Sequence, residues 1–185
     1  KMKNIFIENQ ESYDAIVDTI RLEWADNVHV LADFDKTLTK AFVQGKSSPS
    51  LIALLRNDKT ILWEAYAKKA HALYDHYNKI EEDPALSTEE KIPFMTEWWQ
   101  KHQDLLVKSG LTKQHIEDAI NSGYLYFREG IETFLSILSQ KNIPLVIMSA
   151  NWIVGDSIRM FFEKHNVMTP NIHIISNELE FDHMW

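Results

Sequence analysis

The chain has 185 residues, of which 45% are hydrophobic and 25% charged. This length and balance are typical of one globular domain, or of a core domain with a modest insertion, and exclude a disordered chain. The formal net charge of -8 argues against a nucleic-acid partner, because binding to a phosphate backbone needs clustered Lys and Arg. A small anionic substrate is compatible with this charge if a metal or a few local donors offset it.

Cysteine is absent, which excludes disulfides, thiolate metal ligands and cysteine nucleophiles. The N-terminal stretch KMKNIFIENQ lacks the long apolar region of a signal peptide, and no apolar run reaches the roughly 18 residues that span a bilayer. We therefore expect a soluble, cytoplasmic protein without a membrane partner, either a monomer or a weak dimer.

The first predicted elements are a helix and a strand. Apolar side chains three and four positions apart predict an amphipathic helix over residues 12–24. Its apolar positions are Tyr13, Ile16, Val17, Ile20 and Trp24. Residues 28–32, which are short, apolar and rich in β-branched side chains, predict a strand buried on both faces of a parallel sheet.

The middle of the chain, residues 49–127, is predicted to be helical, and no segment there favours a strand. Ser87 followed by Glu90 indicates a helix cap within a break that also contains Pro84 and Pro93. Further helices are predicted over residues 94–108 and 113–121.

After Gly130 short elements alternate. Helices are predicted over residues 131–141 and 154–165, and strands in the segments PLVIMSAN and NIHIIS. This order predicts right-handed crossovers and a parallel sheet. We therefore predict an α/β fold: a Rossmann-like core of residues 1–45 and 128–185, with an α-helical cap of residues 46–127 inserted into it.

Two carboxylates, Asp33 and Asp35, directly follow the first predicted strand. They have the same parity, so in an extended chain they project to one side. Like charges this close repel each other unless a cation lies between them. A hard divalent ion with oxygen ligands is the economical explanation, and Mg²⁺ fits best because it keeps waters and a substrate phosphate in its shell.

These residue types are suited to phosphoryl transfer. Asp33 can attack phosphorus and form an aspartyl-phosphate, while Asp35 moves a proton to the leaving alcohol and from the hydrolytic water. Ligands bind beyond the carboxyl ends of parallel strands, where the second strand ends in Ser149. Its hydroxyl and the N–H groups of Ala150 and Asn151 can bind phosphoryl oxygens.

The Asp-x-Asp pattern also occurs in two other kinds of loop. A lone pair of this kind is usually a turn or a solvated loop. A calcium-binding EF-hand loop would need Gly at its sixth and Glu at its twelfth position, where this chain has Leu38 and Gln44. The EF-hand reading therefore fails, and the buried strand, the following threonines and the second strand tip argue against the solvated loop.

The motifs DFDKTLT and VIMSAN resemble those of the haloacid dehalogenase-like (HAD-like) phosphatases. The resemblance is closer still to the cytosolic pyrimidine 5'-nucleotidases, including the 7-methylguanosine-phosphate-specific enzymes. The stretches that carry it are KIEEDPALSTEEKIPFMTEWW, FREGIETF, NIPLVIMSA and PNIHIISNELEFD. It implies Mg²⁺-dependent hydrolysis of nucleoside 5'-monophosphates.

Residue by residue, the resemblance implies a nucleophile at Asp33 and a general acid and base at Asp35. Both would contact Mg²⁺, Asp35 through its backbone carbonyl. Ser149 and Ala150 match phosphate-contacting positions.

The resemblance also implies two substrate-binding positions in the cap. Glu81 matches the glutamate that recognises the nucleobase, and His102 stands where relatives carry a substrate-contacting serine. Asn151 replaces a glycine of the phosphate loop.

The family's phosphate-binding lysine and a further acidic metal-binding loop would follow the NELEFD segment. We therefore expect the chain as printed to bind Mg²⁺ weakly and to turn over poorly. Two alternatives stay open: a phosphatase for another small phosphate ester, and a non-catalytic remnant that binds without turnover.

Overall fold

The computed structural model describes residues 6–23, 27–58, 60–150 and 154–181. Its helices are α1 (Gln10–Glu23), α2 (Leu51–Asn57), α3 (Glu64–Glu81), α4 (Thr88–Lys108), α5 (Lys113–Asn121), α6 (Ile131–Gln140) and α7 (Val154–Lys164). Its strands are β1 (Val30–Ala32), β2 (Phe42–Val43), β3 (Lys46–Ser47), β4 (Leu145–Ser149) and β5 (Ile172–Ser176). Over the described ranges, no helix has the length and apolarity required to span a membrane.

A three-stranded parallel sheet, in the order β1-β4-β5, confirms the predicted α/β fold. Its central strand, β4, pairs Leu145 with Val30 on one side and with Ile172 on the other. Leu145 and Ile147 are fully buried because their face of the sheet packs into the hydrophobic core.

The opposite face of the sheet is not buried. Leu31 is 62% exposed, Met148 51% and Ile175 53%, so the prediction that the first strand is buried on both faces is wrong. An apolar run shows that a strand prefers burial but not whether another element covers both of its faces. Helix α1 forms as predicted. Its apolar residues Tyr13 and Ile20 are nevertheless 46% and 49% exposed.

Helix α4 begins at Thr88, six residues before the predicted start at residue 94. The Ser87 hydroxyl accepts from the Glu90 N–H, and the Glu90 carboxylate accepts from the Ser87 N–H, which completes the predicted capping box. Pro93 lies inside the helix. The prediction treated Pro93 as a boundary, but it removes a single hydrogen bond from a 21-residue helix that is already capped upstream.

The other predicted elements match closely. Helix α5 covers residues 113–121 as predicted, and α6, α7, β4 and β5 lie within the predicted segments. A short hairpin, β2–β3, was not predicted. Its turn residues Gln44 and Gly45 both have positive φ, which identifies a tight two-residue turn, but strands of two residues leave no readable alternation.

One hydrophobic cluster joins the sheet to the helices. It contains Phe34, Phe161 and Phe162 beside the sheet together with Leu51 and Tyr66 from the helical middle of the chain. The division into a core of residues 1–45 and 128–185 and a cap of residues 46–127 stays a prediction.

Candidate functional site

The two candidate carboxylates lie on a loop that follows β1, residues 33–39, which we call the Asp loop. Asp33 is exposed, Asp35 is half-buried, and Phe34 between them is fully buried. The Phe34 ring packs edge-on against Phe161 in the core, with ring centroids 5.8 Å apart. Burial of Phe34 therefore fixes the loop to the core while Asp33 before it stays exposed and Asp35 after it is half-buried.

Thr39 closes the Asp loop. Its hydroxyl oxygen accepts from the Lys36 N–H at 2.8 Å and donates to the Phe34 carbonyl at 3.3 Å, while its own N–H donates to that carbonyl at 3.1 Å. These bonds surround Lys36, whose φ of 61° lies in the left-handed region that side chains other than glycine rarely adopt. The loop is thus a tight turn whose shape depends on a buried threonine.

The second candidate segment is the end of β4. Ser149 is buried and aligns with Ser176 of β5. Ala150 is exposed, and its carbonyl accepts from the Asn177 side-chain amide at 3.2 Å. The Asn151 N–H, also predicted to contact phosphate, lies outside the described residues.

The structure brings these two segments together. Ala32, directly before Asp33, aligns with Ile147, two residues before Ser149, and the Asp loop contacts β4. Both segments lie at the carboxyl edge of the sheet, where ligands of parallel α/β sheets bind.

The donor set at this edge suits a hard cation. In the described part of the chain, no group of three or more His, Cys, Asp or Glu residues could hold a metal ion. The Asp loop offers the Asp33 carboxylate and the Asp35 backbone carbonyl, and Mg²⁺ is typically bound through one or two carboxylates while waters and substrate phosphate complete its shell. The residues present fit Mg²⁺, and they do not form the closed four-ligand site of structural zinc.

The two residues predicted to recognise the substrate base differ in exposure. Glu81 is exposed at the C-terminus of α3, and its backbone carbonyl accepts from the Lys91 ammonium at 2.8 Å. His102 on α4 is only 8% exposed, and its Nε2 lies 3.0 Å from the Tyr66 hydroxyl. Glu81 is therefore free to reach solvent with its carboxylate, whereas the His102 ring packs inside the protein.

His102 belongs to a set of side chains that we call the buried polar cluster. It consists of the buried Tyr66 and His102 together with the half-buried Arg56 and Tyr74. The Arg56 guanidinium stacks 3.9 Å from the centre of the Tyr74 ring. Burial, and next the positive charge of Arg56, lower the pKa of His102 to about 4, so the ring is neutral at neutral pH. Burial also lowers the pKa of Arg56 and raises that of the Tyr66 hydroxyl.

Sequence reasoning missed Arg128. Its side chain donates from Nε to the Thr37 carbonyl at 3.0 Å and from Nη2 to the Lys36 carbonyl, so it is bonded directly to the Asp loop. The stretch FREG was notable only for its resemblance to relatives. No local pattern reveals this contact, because Arg128 and Thr37 are 91 positions apart in the chain.

The fold and the site define an α/β protein with a carboxylate-bearing loop at the carboxyl edge of a parallel sheet. The family model described as pyrimidine 5'-nucleotidase (UMPH-1) matches residues 36–184. The chain belongs to this family, which confirms the resemblance to cytosolic 5'-nucleotidases. The matched span begins just after Asp35, so it does not test the roles of the two carboxylates.

Relatives and solved structures agree with this family. A 7-methylguanosine phosphate-specific 5'-nucleotidase of Homo sapiens is 38% identical over 167 residues, which cover 90% of this chain and 55% of the relative. A 7-methylguanosine phosphate-specific 5'-nucleotidase of Drosophila melanogaster is 29% identical over 170 residues. These cover 91% of this chain and 52% of the relative. The crystal structure of cytosolic 5'-nucleotidase IIIB bound to cytidine superposes with a TM-score of 0.83 at 26% identity.

That superposition covers 96% of this chain and 59% of the solved one. The chain thus spans about half the length of the curated relatives it matches.

Proposed function

We propose that this protein is a Mg²⁺-dependent phosphomonoesterase that hydrolyses nucleoside 5'-monophosphates through an aspartyl-phosphate. The observation that supports this most is the position of Asp33 and Asp35 beside Ser149 at the carboxyl edge of the sheet, in a chain of the pyrimidine 5'-nucleotidase family. Phosphoryl transfer needs charge stabilisation and in-line positioning more than covalent chemistry, which two carboxylates and a hydroxyl at one edge can supply.

In the first step, a carboxylate oxygen of Asp33 attacks phosphorus and the bond from phosphorus to the 5'-oxygen breaks. Asp35 donates a proton to that leaving oxygen. Asp35 then accepts a proton from the water that attacks the aspartyl-phosphate, which releases phosphate and restores Asp33. The exposure of Asp33 is favourable for attack, and Asp35 lies half-buried two residues further along the same loop.

The Ser149 hydroxyl and the Ala150 N–H would bind phosphoryl oxygens during both steps. The Asp33 carboxylate and the Asp35 backbone carbonyl would hold Mg²⁺, which would offset the negative charge of the carboxylates and the phosphate.

The substrate class is a nucleotide of the pyrimidine or 7-methylguanosine type. Matched relatives are named for 7-methylguanosine phosphate, and the solved relative carries cytidine. In this chain the exposed Glu81 carboxylate would accept hydrogen bonds from a nucleobase. His102 would influence the base site from its buried position against Tyr66.

We place the protein in the cytoplasm, as a monomer or weak dimer. The solved relative is named cytosolic, which supports this location.

The test is phosphate release, with and without Mg²⁺, from CMP, UMP, 7-methylguanosine 5'-monophosphate and a sugar phosphate. The purified chain is assayed at high concentration so that even slow phosphate release is detected. Release from the nucleotides ahead of the sugar phosphate, dependent on Mg²⁺, supports the proposal. A preference for the sugar phosphate would point to a phosphatase for another small ester. The absence of phosphate release from every substrate would point to a non-catalytic remnant.

A further inference from the structure

We propose that Arg128 is a positioning residue that holds the Asp loop in the shape that presents Asp33 and Asp35 to a phosphate. The inference rests on the proposed function for its catalytic consequence. Its structural content, that one guanidinium maintains the loop, can be measured separately.

Arg128 donates hydrogen bonds to three consecutive backbone carbonyls of the Asp loop. Its Nη2 donates to Lys36, its Nε to Thr37 at 3.0 Å, and its backbone N–H to Leu38 at 2.9 Å. A guanidinium presents its donors in a rigid, planar fork, so bonds from two of its nitrogens fix the direction of both carbonyls. Because a peptide unit is planar, fixing a carbonyl also fixes the N–H on the same peptide, here those of Thr37 and Leu38.

The loop needs such a restraint at this point. Lys36 follows Asp35 directly and has a φ of 61°, a conformation that costs free energy for a residue with a side chain. If the Lys36 and Thr37 carbonyls lost their donors, Lys36 could relax to a negative φ. Such a change would rotate the chain between the Asp35 backbone and the rest of the loop.

Arg128 is itself held in place by the core. Thr39 forms an antiparallel bridge with Phe127, and the Lys40 N–H donates to the Tyr126 carbonyl at 2.9 Å. The Phe127 ring lies 4.7 Å from that of Phe161, the same ring on which Phe34 rests. The Phe161 ring thus supports both the Asp loop, through Phe34, and Arg128, through the neighbouring Phe127.

Arg128 is assigned a positioning role because its Nε and Nη2 point to loop carbonyls. The expected signature is therefore a lower kcat with KM nearly unchanged, because the variant still binds substrate but presents the carboxylates in the wrong geometry. Loss of a phosphate-binding cation would instead raise KM.

The experiment compares Arg128→Met, Arg128→Lys and the control Arg159→Met, which removes the same charge from the exposed face of α7. We expect kcat to fall about tenfold in Arg128→Met, with KM within about twofold. Arg128→Lys should be intermediate, because a single ammonium does not reproduce the planar fork. Arg159→Met should match the unaltered chain.

Amide hydrogen exchange provides the second readout, which needs no turnover. The Lys36 and Thr39 amides donate inside the loop, so in Arg128→Met they should exchange about tenfold faster, while amides of α4 and α5 keep their rates. Unchanged exchange at Lys36 and Thr39 would overturn the inference, and so would equal acceleration throughout the protein, which indicates global destabilisation.

The two readouts separate the two proposals. If the unaltered chain hydrolyses no phosphate ester but Arg128→Met still frees the loop amides, the proposed function fails and the restraint stands. If turnover is normal in Arg128→Met, the positioning role is wrong although the proposed function survives.

Discussion

The Asp loop and the buried polar cluster use polar side chains in opposite ways. In the loop, Asp33 reaches the surface and Asp35 is half-buried, while buried Thr39 and the distant Arg128 hold the backbone. In the cluster, the polar side chains of Tyr66 and His102 are themselves enclosed and contact each other.

The difference separates reactivity from structure. A side chain that must attack a substrate has to be accessible, so its position is set by the backbone around it. Burial disfavours the charged form of an imidazole and so lowers its pKa, as at His102. Such a side chain contributes mainly to packing and to pH-dependent stability. Variants of the two regions should therefore separate activity from stability.

The largest effect is expected for Asp33→Asn, which removes the nucleophile. Turnover of the best nucleotide should fall to the uncatalysed background, because an amide does not form the aspartyl-phosphate. The melting temperature should change little, since the Asp33 side chain is exposed. Phosphate release and a thermal melt measure the two quantities.

Asp104→Asn is the matched control, because it removes an exposed carboxylate on α4 that lies 3.4 Å from the Lys108 ammonium at the surface. Turnover by Asp33→Asn equal to that of this control would show that another residue is the nucleophile.

Phe34→Ala should mainly lower stability, in contrast to Asp33→Asn, which should mainly lower turnover. Phe34 is fully buried against Phe161 and Phe162, and truncation of such a ring typically costs about 3–5 kcal/mol of unfolding free energy. Urea unfolding measures the loss. Phe6→Ala, at a position 91% exposed, should change stability by less than about 0.5 kcal/mol. A similar small change at Phe34 would mean that the loop has no anchor in the core.

The buried polar cluster should make stability depend on pH. The pKa of His102 is about 4 in the folded chain and 6.5 when unfolded, so below pH 6.5 the unfolded state binds more protons. Stability is therefore complete above pH 6.5 and is lost as pH falls toward 4. From pH 7 to pH 5 the loss due to this one group is about 2 kcal/mol.

His102→Gln isolates this contribution, because glutamine can still hydrogen-bond to the Tyr66 hydroxyl but does not titrate. Urea unfolding of both proteins between pH 7 and pH 5 should show the steeper decline in the unaltered chain. Parallel declines would show that folding does not lower the pKa of His102.

Much of the fold could be predicted because it follows from local patterns. The helical pattern of the middle of the chain predicted helix α5 over residues 113–121, and the apolar run before Ser149 predicted β4. The wrong prediction for Leu31 has the opposite origin. Whether the second face of a strand is covered depends on elements elsewhere in the chain, and apolarity alone does not specify them.

The site divides along the same line. Asp33 and Ser149 could be expected to meet, because parallel strands bring their carboxyl ends to one edge. The restraint by Arg128 and the burial of His102 could not be expected, since both depend on contacts between distant segments. Sequence patterns thus locate the reactive groups, and the tertiary structure specifies what holds them.

Thr39→Val should have the smallest effect and tests whether the loop depends on its own hydroxyl. Valine keeps the shape of the side chain but leaves the Lys36 N–H without its acceptor. A lost hydrogen bond of this kind costs about 1–2 kcal/mol. Thr133→Val on the exposed face of α6 is the control and should change stability by less than about 0.5 kcal/mol.

The double variant Thr39→Val with Arg128→Met sharpens the test. If both residues restrain one loop, the losses of kcat should be non-additive, because the first variant already releases the loop and the second adds little further change. Additive losses would show that Thr39 and Arg128 act on separate parts of the protein, and the Asp loop would then not be the single unit that separates it from the buried polar cluster.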